Sequence, residues 1–279
     1  MKFVVFALFS FAFLVISPIR APAQMTAGGD DSGEIVFAQE PVEPEDGDWD
    51  VVLGAVTTYG PKYLGSDEQE FGVFPVVDIV WDDSIYLNMR NGLGAYVYSD
   101  KTLRIGGGIG YAFGRDEDDL DGLDGFGDVD GGAALVGTLE YNFLGAIRIP
   151  GLSVGSRLQY QFTGDEGLLF ETDIGYRFAV TDMFFVRPSA GIAVADGDYM
   201  QSQFGVSSSQ SAGSGLPVYS PGAGVRSVGS TLGMSYLLTD NLSLRGAVIY
   251  QRLVGDAADS PLVQNENQVT GLLGLTYDF

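Results

Sequence analysis

From Trp49 to Phe279 the chain is patterned in steps of two rather than in the three-and-four steps of a helix. Over 103–113, Leu103, Ile105, Gly107, Ile109, Tyr111 and Phe113 alternate with Arg104, Gly106, Gly108, Gly110 and Ala112. Over 133–143, Ala133, Leu135, Gly137, Leu139, Tyr141 and Phe143 alternate with Ala134, Val136, Thr138, Glu140 and Asn142. Leu168, Phe170, Ile174, Tyr176 and Phe178 likewise stand opposite Glu171, Asp173 and Arg177. At the end of the chain Val269, Leu273, Leu275, Tyr277 and Phe279 oppose Gln268, Thr270, Thr276 and Asp278. Each ribbon has one oily face and one small, polar or charged face, as a strand between two different surroundings does.

The same template predicts twelve strands, at about 50–59, 71–81, 84–90, 93–99, 102–113, 131–143, 151–163, 168–179, 183–195, 225–238, 241–253 and 268–279. Most exceed the ~5–6 residues usual in soluble sheets and approach the length a tilted strand needs to cross a bilayer. The pair around Asn91-Gly92 is the least regular. Short connections near Asp82-Asp83, 99–101, 144–150, 180–182 and Thr239-Asp240 alternate with longer polar ones at 60–70, 114–130, 196–224 and 254–267. Asn91-Gly92 and 164–167 are the short exceptions in the second set. With an even number of strands, the short turns fall on the periplasmic side and the long loops outside.

A soluble sandwich also alternates, so the position of the aromatics decides between the two. Tyr-x-Phe closes five strands, with Tyr111 and Phe113, Tyr141 and Phe143, Tyr160 and Phe162, Tyr176 and Phe178, and Tyr277 and Phe279. Those strands run in both directions, so the rings form belts at both rims, at the membrane interface, whereas sandwich aromatics sit mid-strand. Arg104, Glu140, Arg157, Glu171, Asp173, Arg177, Arg187 and Arg245 fall on the other face and are the candidate lumen-lining residues. The expected fold is all-β: an antiparallel up-and-down transmembrane β-barrel of about twelve strands, placed in the outer membrane.

Residues 1–23 carry Lys2, an apolar run from Phe3 to Ser17 and the small-residue ending Ala21-Pro22-Ala23, the layout of a secretory signal peptide. The rival, an N-terminal anchor, has a run short for a span. Residues 24–49 hold Asp30, Asp31, Glu34, Glu40, Glu43, Glu45, Asp46 and Asp48 and no Lys or Arg, and read as an acidic disordered tail ahead of a barrel over 50–279. A docking arm for a basic partner is the functional alternative.

The whole chain has 37 acidic and 14 basic residues, for a formal charge of −23. No basic stripe is present for nucleic acid to bind. With no Cys and no His, disulfide frameworks, triad nucleophiles and the usual zinc, copper and haem ligand sets are excluded, and no cofactor is expected. Gly151-Leu152-Ser153-Val154-Gly155 matches G-x-S-x-G, but it opens a strand and has no partner base. Asn241-Leu242-Ser243 is a sequon only in form. Glu117, Asp119, Asp121 and Asp128 fall on a calcium-loop template, a weak candidate metal site because Asp124 takes an apolar place and no helices flank the loop. The plain alternative is a solvated loop exchanging divalent cations with lipopolysaccharide phosphates. The 196–224 segment, with Tyr199, Met200, Phe204 and Tyr219, is expected either to fold into the lumen or to form an outer contact surface.

Several stretches resemble the MipA/OmpV family of Gram-negative outer-membrane proteins. They are YGPKYLGSDEQEFGVFPVVDIVW from Tyr59, GLGAYVYSD from Gly92, YAFGRDEDD from Tyr111, GFGDVDGG from Gly125, DYMQSQFGVSSSQSAGSGLPVY from Asp198, LTDNLSL from Leu238 and RLVGDAADSPLV from Arg252. The resemblance covers nearly all of 49–279 but not the acidic tail. It implies a barrel with no assigned catalytic residues. One member is described as a scaffold joining a lytic transglycosylase to a murein synthase, and others are linked to osmotic or antibiotic response and to adhesion. The expected role is therefore structural or scaffolding rather than enzymatic. A narrow porin-like diffusion channel is the alternative. Expected partners are outer-membrane lipid and lipopolysaccharide, the barrel-insertion machinery through Phe279, and a murein hydrolase and synthase complex.

Overall fold

The computed structural model describes residues 49–115, 127–143 and 151–279. Its strands are β1 (Trp49–Pro61), β2 (Gln69–Trp81), β3 (Ile85–Asn88), β4 (Gly92–Ser99), β5 (Leu103–Ala112), β6 (Gly132–Asn142), β7 (Leu152–Gln161), β8 (Gly167–Tyr176), β9 (Phe178–Thr181), β10 (Phe184–Ala195), β11 (Gly224–Leu237), β12 (Leu242–Leu253) and β13 (Asn267–Asp278). β8 and β9 both pair with β10 and form one strand interrupted at Arg177, so the wall has twelve staves. All pairings are antiparallel. β1 pairs with β13 and β10 with β11, which closes the sheet into the barrel that the alternation and the rim aromatics together predict.

The expected signal peptide and nearly all of the acidic tail lie outside the described residues. β1 opens at Trp49, a residue the tail boundary had assigned to the acidic segment. Its indole stacks on Trp81, its register partner in β2, with ring centroids 5.9 Å apart, so pairing carries the strand one residue further than the boundary.

Short turns and the last residue of the chain gather at one end, here the turn rim, and long connections at the other, the loop rim. The β2–β3 turn, Asp82–Ser84, has Asp82 at φ 51° and Asp83 at φ 47° and is closed by the Ser84 amide donating to the Trp81 carbonyl at 3.0 Å. Positive φ at both central residues is what matches a hairpin turn to the twist of its strands.

The loop between β10 and β11 contains two helices, α1 (Gly197–Phe204) and α2 (Ser208–Ser214). The Asp196 carboxylate caps α1 by accepting from the Tyr199 amide at 2.8 Å. Ser207 and Gln210 form a reciprocal capping box on α2. Inside the barrel, Val56 on β1, Ala247 and Ile249 on β12 and Leu272 on β13 form an apolar strip, with Phe74 and Val76 of β2 packed against it.

Candidate functional site

The lumen is built by strand parity. Arg157 and Glu171 are register partners on β7 and β8, and their side chains meet at 3.4 Å, both buried. Arg90, from the β3–β4 turn, reaches the same Glu171 oxygen at 3.4 Å. The Arg157 guanidinium also donates to the Arg90 carbonyl at 3.1 Å and to the Asn91 side chain at 3.2 Å. The tip of the β3–β4 hairpin is thereby folded into the lumen and tied to the opposite wall.

Asp173 pairs with Arg187 at 3.1 Å, and Arg245 lies 3.9 Å from Asp278. Arg177 stacks over the Phe185 ring and Arg104 over the Tyr96 ring, with guanidinium-to-centroid distances of 4.6 and 4.8 Å. Glu140 is the register partner of Arg104 and accepts from Asn142 at 3.3 Å. The candidate lumen residues thus fall into small clusters of charge pairs and ring contacts along the wall. Tyr86 and Tyr96 pack together, ring centroids 4.8 Å apart, over Gly94 and Gly106. A Cβ on Gly94 would sit 2.3 Å from the Tyr86 ring, so the glycine makes room for the tyrosine.

Arg90 and the Tyr86–Tyr96 pair escape a reading of the sequence. The strand predicted over 84–90 ends at Asn88, so Arg90 sits in a turn, beyond the reach of strand parity. The Tyr96 and Tyr98 positions straddle a register irregularity against β5 that breaks the count of two.

The loop rim carries a second, apolar core. Met200 and Phe204 of α1 are buried with Leu64 from the β1–β2 loop, Leu169 of β8, Leu253 of β12 and Ala257 from the β12–β13 loop. Tyr63, Val206 and Leu262 form a separate buried cluster at the same rim, with Leu216 and Tyr219 packed against it. Polar ties fix the arrangement. Ser260 Oγ donates to the Phe204 carbonyl at 2.7 Å, Arg115 donates to the Gln203 carbonyl at 3.2 Å, and Arg226 donates to the Tyr199 hydroxyl at 2.8 Å. Tyr219 donates to the Asp256 carbonyl at 2.8 Å, and desolvation, with Asp256 and Asp259 nearby, pushes its phenol above the ordinary tyrosine value. Of the two expectations for 196–224, the helix α1 folds inward over the mouth, joining the loops around it.

The outer face is apolar on every side of the barrel. Leu53, Leu135, Ile174, Leu232, Leu244, Val248 and Leu273 all expose their side chains there. Tyr111 and Phe113 meet edge to face at the loop rim. Tyr141 with Phe143, Tyr176 with Phe178 and Tyr277 with Phe279 pair at the turn rim. Tyr160 and Phe162 are also exposed, at the loop rim. Trp49 and Trp81 add to the turn-rim belt. An apolar surface this continuous has hydrocarbon as its solvent. The chain is an outer-membrane barrel.

Among the described residues no group of three or more acidic side chains is arranged to hold a metal. Of the candidate calcium loop, Glu117, Asp119 and Asp121 lie outside the described residues, and Asp128 is exposed. Nor is any described helix long and apolar enough to cross a membrane.

No functionally described protein matched at the level of sequence. Among solved structures, an outer membrane channel from Pseudomonas putida F1 is similar at 12% identity, with 88% of this chain and 100% of that chain covered and a TM-score of 0.45. The KdgM porin is similar at 10% identity, with 82% and 99% covered and a TM-score of 0.40. OmpT of Vibrio cholerae is similar at 9% identity, with 86% and 100% covered and a TM-score of 0.40. The family described as MltA-interacting protein MipA matches residues 53–279, and the chain belongs to that family.

Proposed function

We propose that this barrel is a structural platform of the outer membrane that engages periplasmic murein enzymes, rather than an open diffusion channel or an enzyme. The observation that carries the reading is the apolar core at the loop rim. It draws residues from α1, β8, β12 and two further loops into one packed cluster over the mouth. A hydrated pore needs polar, water-lined walls along its path, whereas this core removes its side chains from water.

The opposite rim supports the partner half of the proposal. Asp82, Asp83, Asp100, Asp182 and Asp240 project from the turns of this rim, with Lys101 beside Asp100 as a basic side chain. In an outer-membrane barrel the short turns face the periplasm. Such a rim favours a partner with a basic surface, and their association weakens as salt screens the charges. The family description, MltA-interacting protein, names MltA as a partner, and the scaffold role that the resemblance implies makes the partner proposed here a murein enzyme.

Crosslinking in intact cells, followed by identification of the captured proteins, tests the platform, and planar-bilayer recording tests the seal. Capture of a murein hydrolase or synthase together with electrical silence is the expected result. Stable unit conductance from the unmodified barrel would transfer the assignment to the channel reading.

A further inference from the structure

The barrel wall is uneven at the loop rim. β3 pairs with β2 only from Asp78 to Trp81, because the β3–β4 hairpin turns back at Met89–Asn91. Among the described residues, Gln69–Val77 of β2 is therefore hydrogen-bonded on its β1 side alone, over roughly 30 Å of strand at about 3.3 Å per residue. On the other flank, β4 pairs with β5 only as far as Leu93 with Ile109, while β5 continues to Ala112 against β6. A notch opens between β2 and the β4–β5 pair, with the inward-folded hairpin tip as its floor.

The backbone direction of β2 shows that this edge is not built for another strand. The Lys62 amide donates to the Glu68 carbonyl across the β1–β2 loop, and the alternation that follows turns even-numbered β2 residues toward β1 and odd-numbered ones toward the notch. Pro75 is odd-numbered and has no amide hydrogen, so it removes a donor midway along the edge, as edge prolines do.

The lining is oily from outside to inside. Phe71, Val73, Met89, Leu93 and Ile109 are exposed on the bilayer side. Phe74 and Val76, on the lumen face of the same strand, join the strip of Val56, Ile249 and Leu272. The floor is polar, where Arg90 and Arg157 meet Glu171 and Asn91. An apolar wall continuous with the lipid-facing surface and ending on a charged floor fits an amphiphile.

We propose that the notch between β2 and the β4–β5 pair is a lateral binding site that admits the alkyl chain of a bilayer amphiphile onto the lumen strip of Val56, Phe74 and Val76. Given the sealed mouth proposed above, on which this route rests, the site is reached through the wall rather than from outside.

Because the chain has no Cys, single cysteines give unique labels. Val76→Cys (lumen strip), Thr231→Cys (lumen face of β11) and Val248→Cys (outer face of β12) are labelled with bimane, and the full-length barrel is reconstituted in vesicles of phospholipid brominated along the acyl chain. Quenching at position 76 that approaches that at 248, and exceeds that at 231 several-fold, is the expected result. Quenching at 76 no greater than at 231, with 248 still quenched, would overturn the site while leaving the barrel assignment intact. Phe74→Cys, on the same face, replaces Val76→Cys if the latter does not give the heat-modifiable band of the folded barrel.

Discussion

Single side chains hold this barrel at three kinds of place. Glu171 is the anion shared by Arg157 and Arg90 in a buried setting. Truncating one partner of such a cluster strands charge in a medium that solvates it poorly. Glu171→Ala is expected to lower stability by about 3 kcal/mol, read as a shift in the urea midpoint of refolded protein in micelles. Asp83 holds a left-handed φ of 47°, a conformation that costs an L-residue about 1 kcal/mol, and Asp83→Gly should raise the same midpoint by about that much. Asp100 accepts from the Tyr98 hydroxyl and from the amides of Leu103 and Thr102, which hold its carboxyl below the ordinary range. A depressed native pKa stabilises the turn above the unfolded value and loses that effect as pH falls through the native one. The stability difference between the natural protein and Asp100→Asn should therefore vanish in acid. Parity was enough to place Arg157 and Glu171 on the lumen face, though not to pair them, because strand side chains point to alternate faces without exception short of a bulge. Arg90 was hidden, since its role depends on a turn folding inward, which no local pattern encodes.

At the scale of elements, the strands were legible because hydrocarbon outside and a polar lumen inside impose the same period on each of them. The break at Arg177, which divides β8 from β9, was not. It leaves the alternation of Tyr176 and Phe178 on the outer face untouched. The helices α1 and α2 were also missed. Their Ser- and Gly-rich sequence has low helix propensity, and the starts are marked only by the N-cap Asp196 and the capping signal Ser207-x-x-Gln210. α1 exists because its two apolar residues, Met200 and Phe204, sit four apart on one face and dock together. Substituting both by Glu should loosen the loop-rim core. Planar-bilayer recording is expected to show ion flow in the double variant and none in the natural barrel.

For the whole molecule, the separation of character between the rims matters most. One end is an oily, tied-down lid and the other a ring of carboxylates. If the acidic turns meet a basic partner, replacing Asp82, Asp83, Asp100 and Asp240 together by Asn should abolish partner capture in cells. Glu171→Ala, buried in the lumen, should leave capture of the folded fraction unchanged, and quantitative mass spectrometry of crosslinked material would read both outcomes. The seam between β1 and β13 carries a different consequence. Its eight register pairs, from Val52 with Asp278 to Tyr59 with Gly271, join the earliest described ribbon to the latest. The two lips of this zipper therefore lie roughly two hundred residues apart along the chain, as in Val52 with Asp278. Without β13 the remaining ribbons have two raw margins and form an unsealable sheet instead of a slightly weakened cylinder.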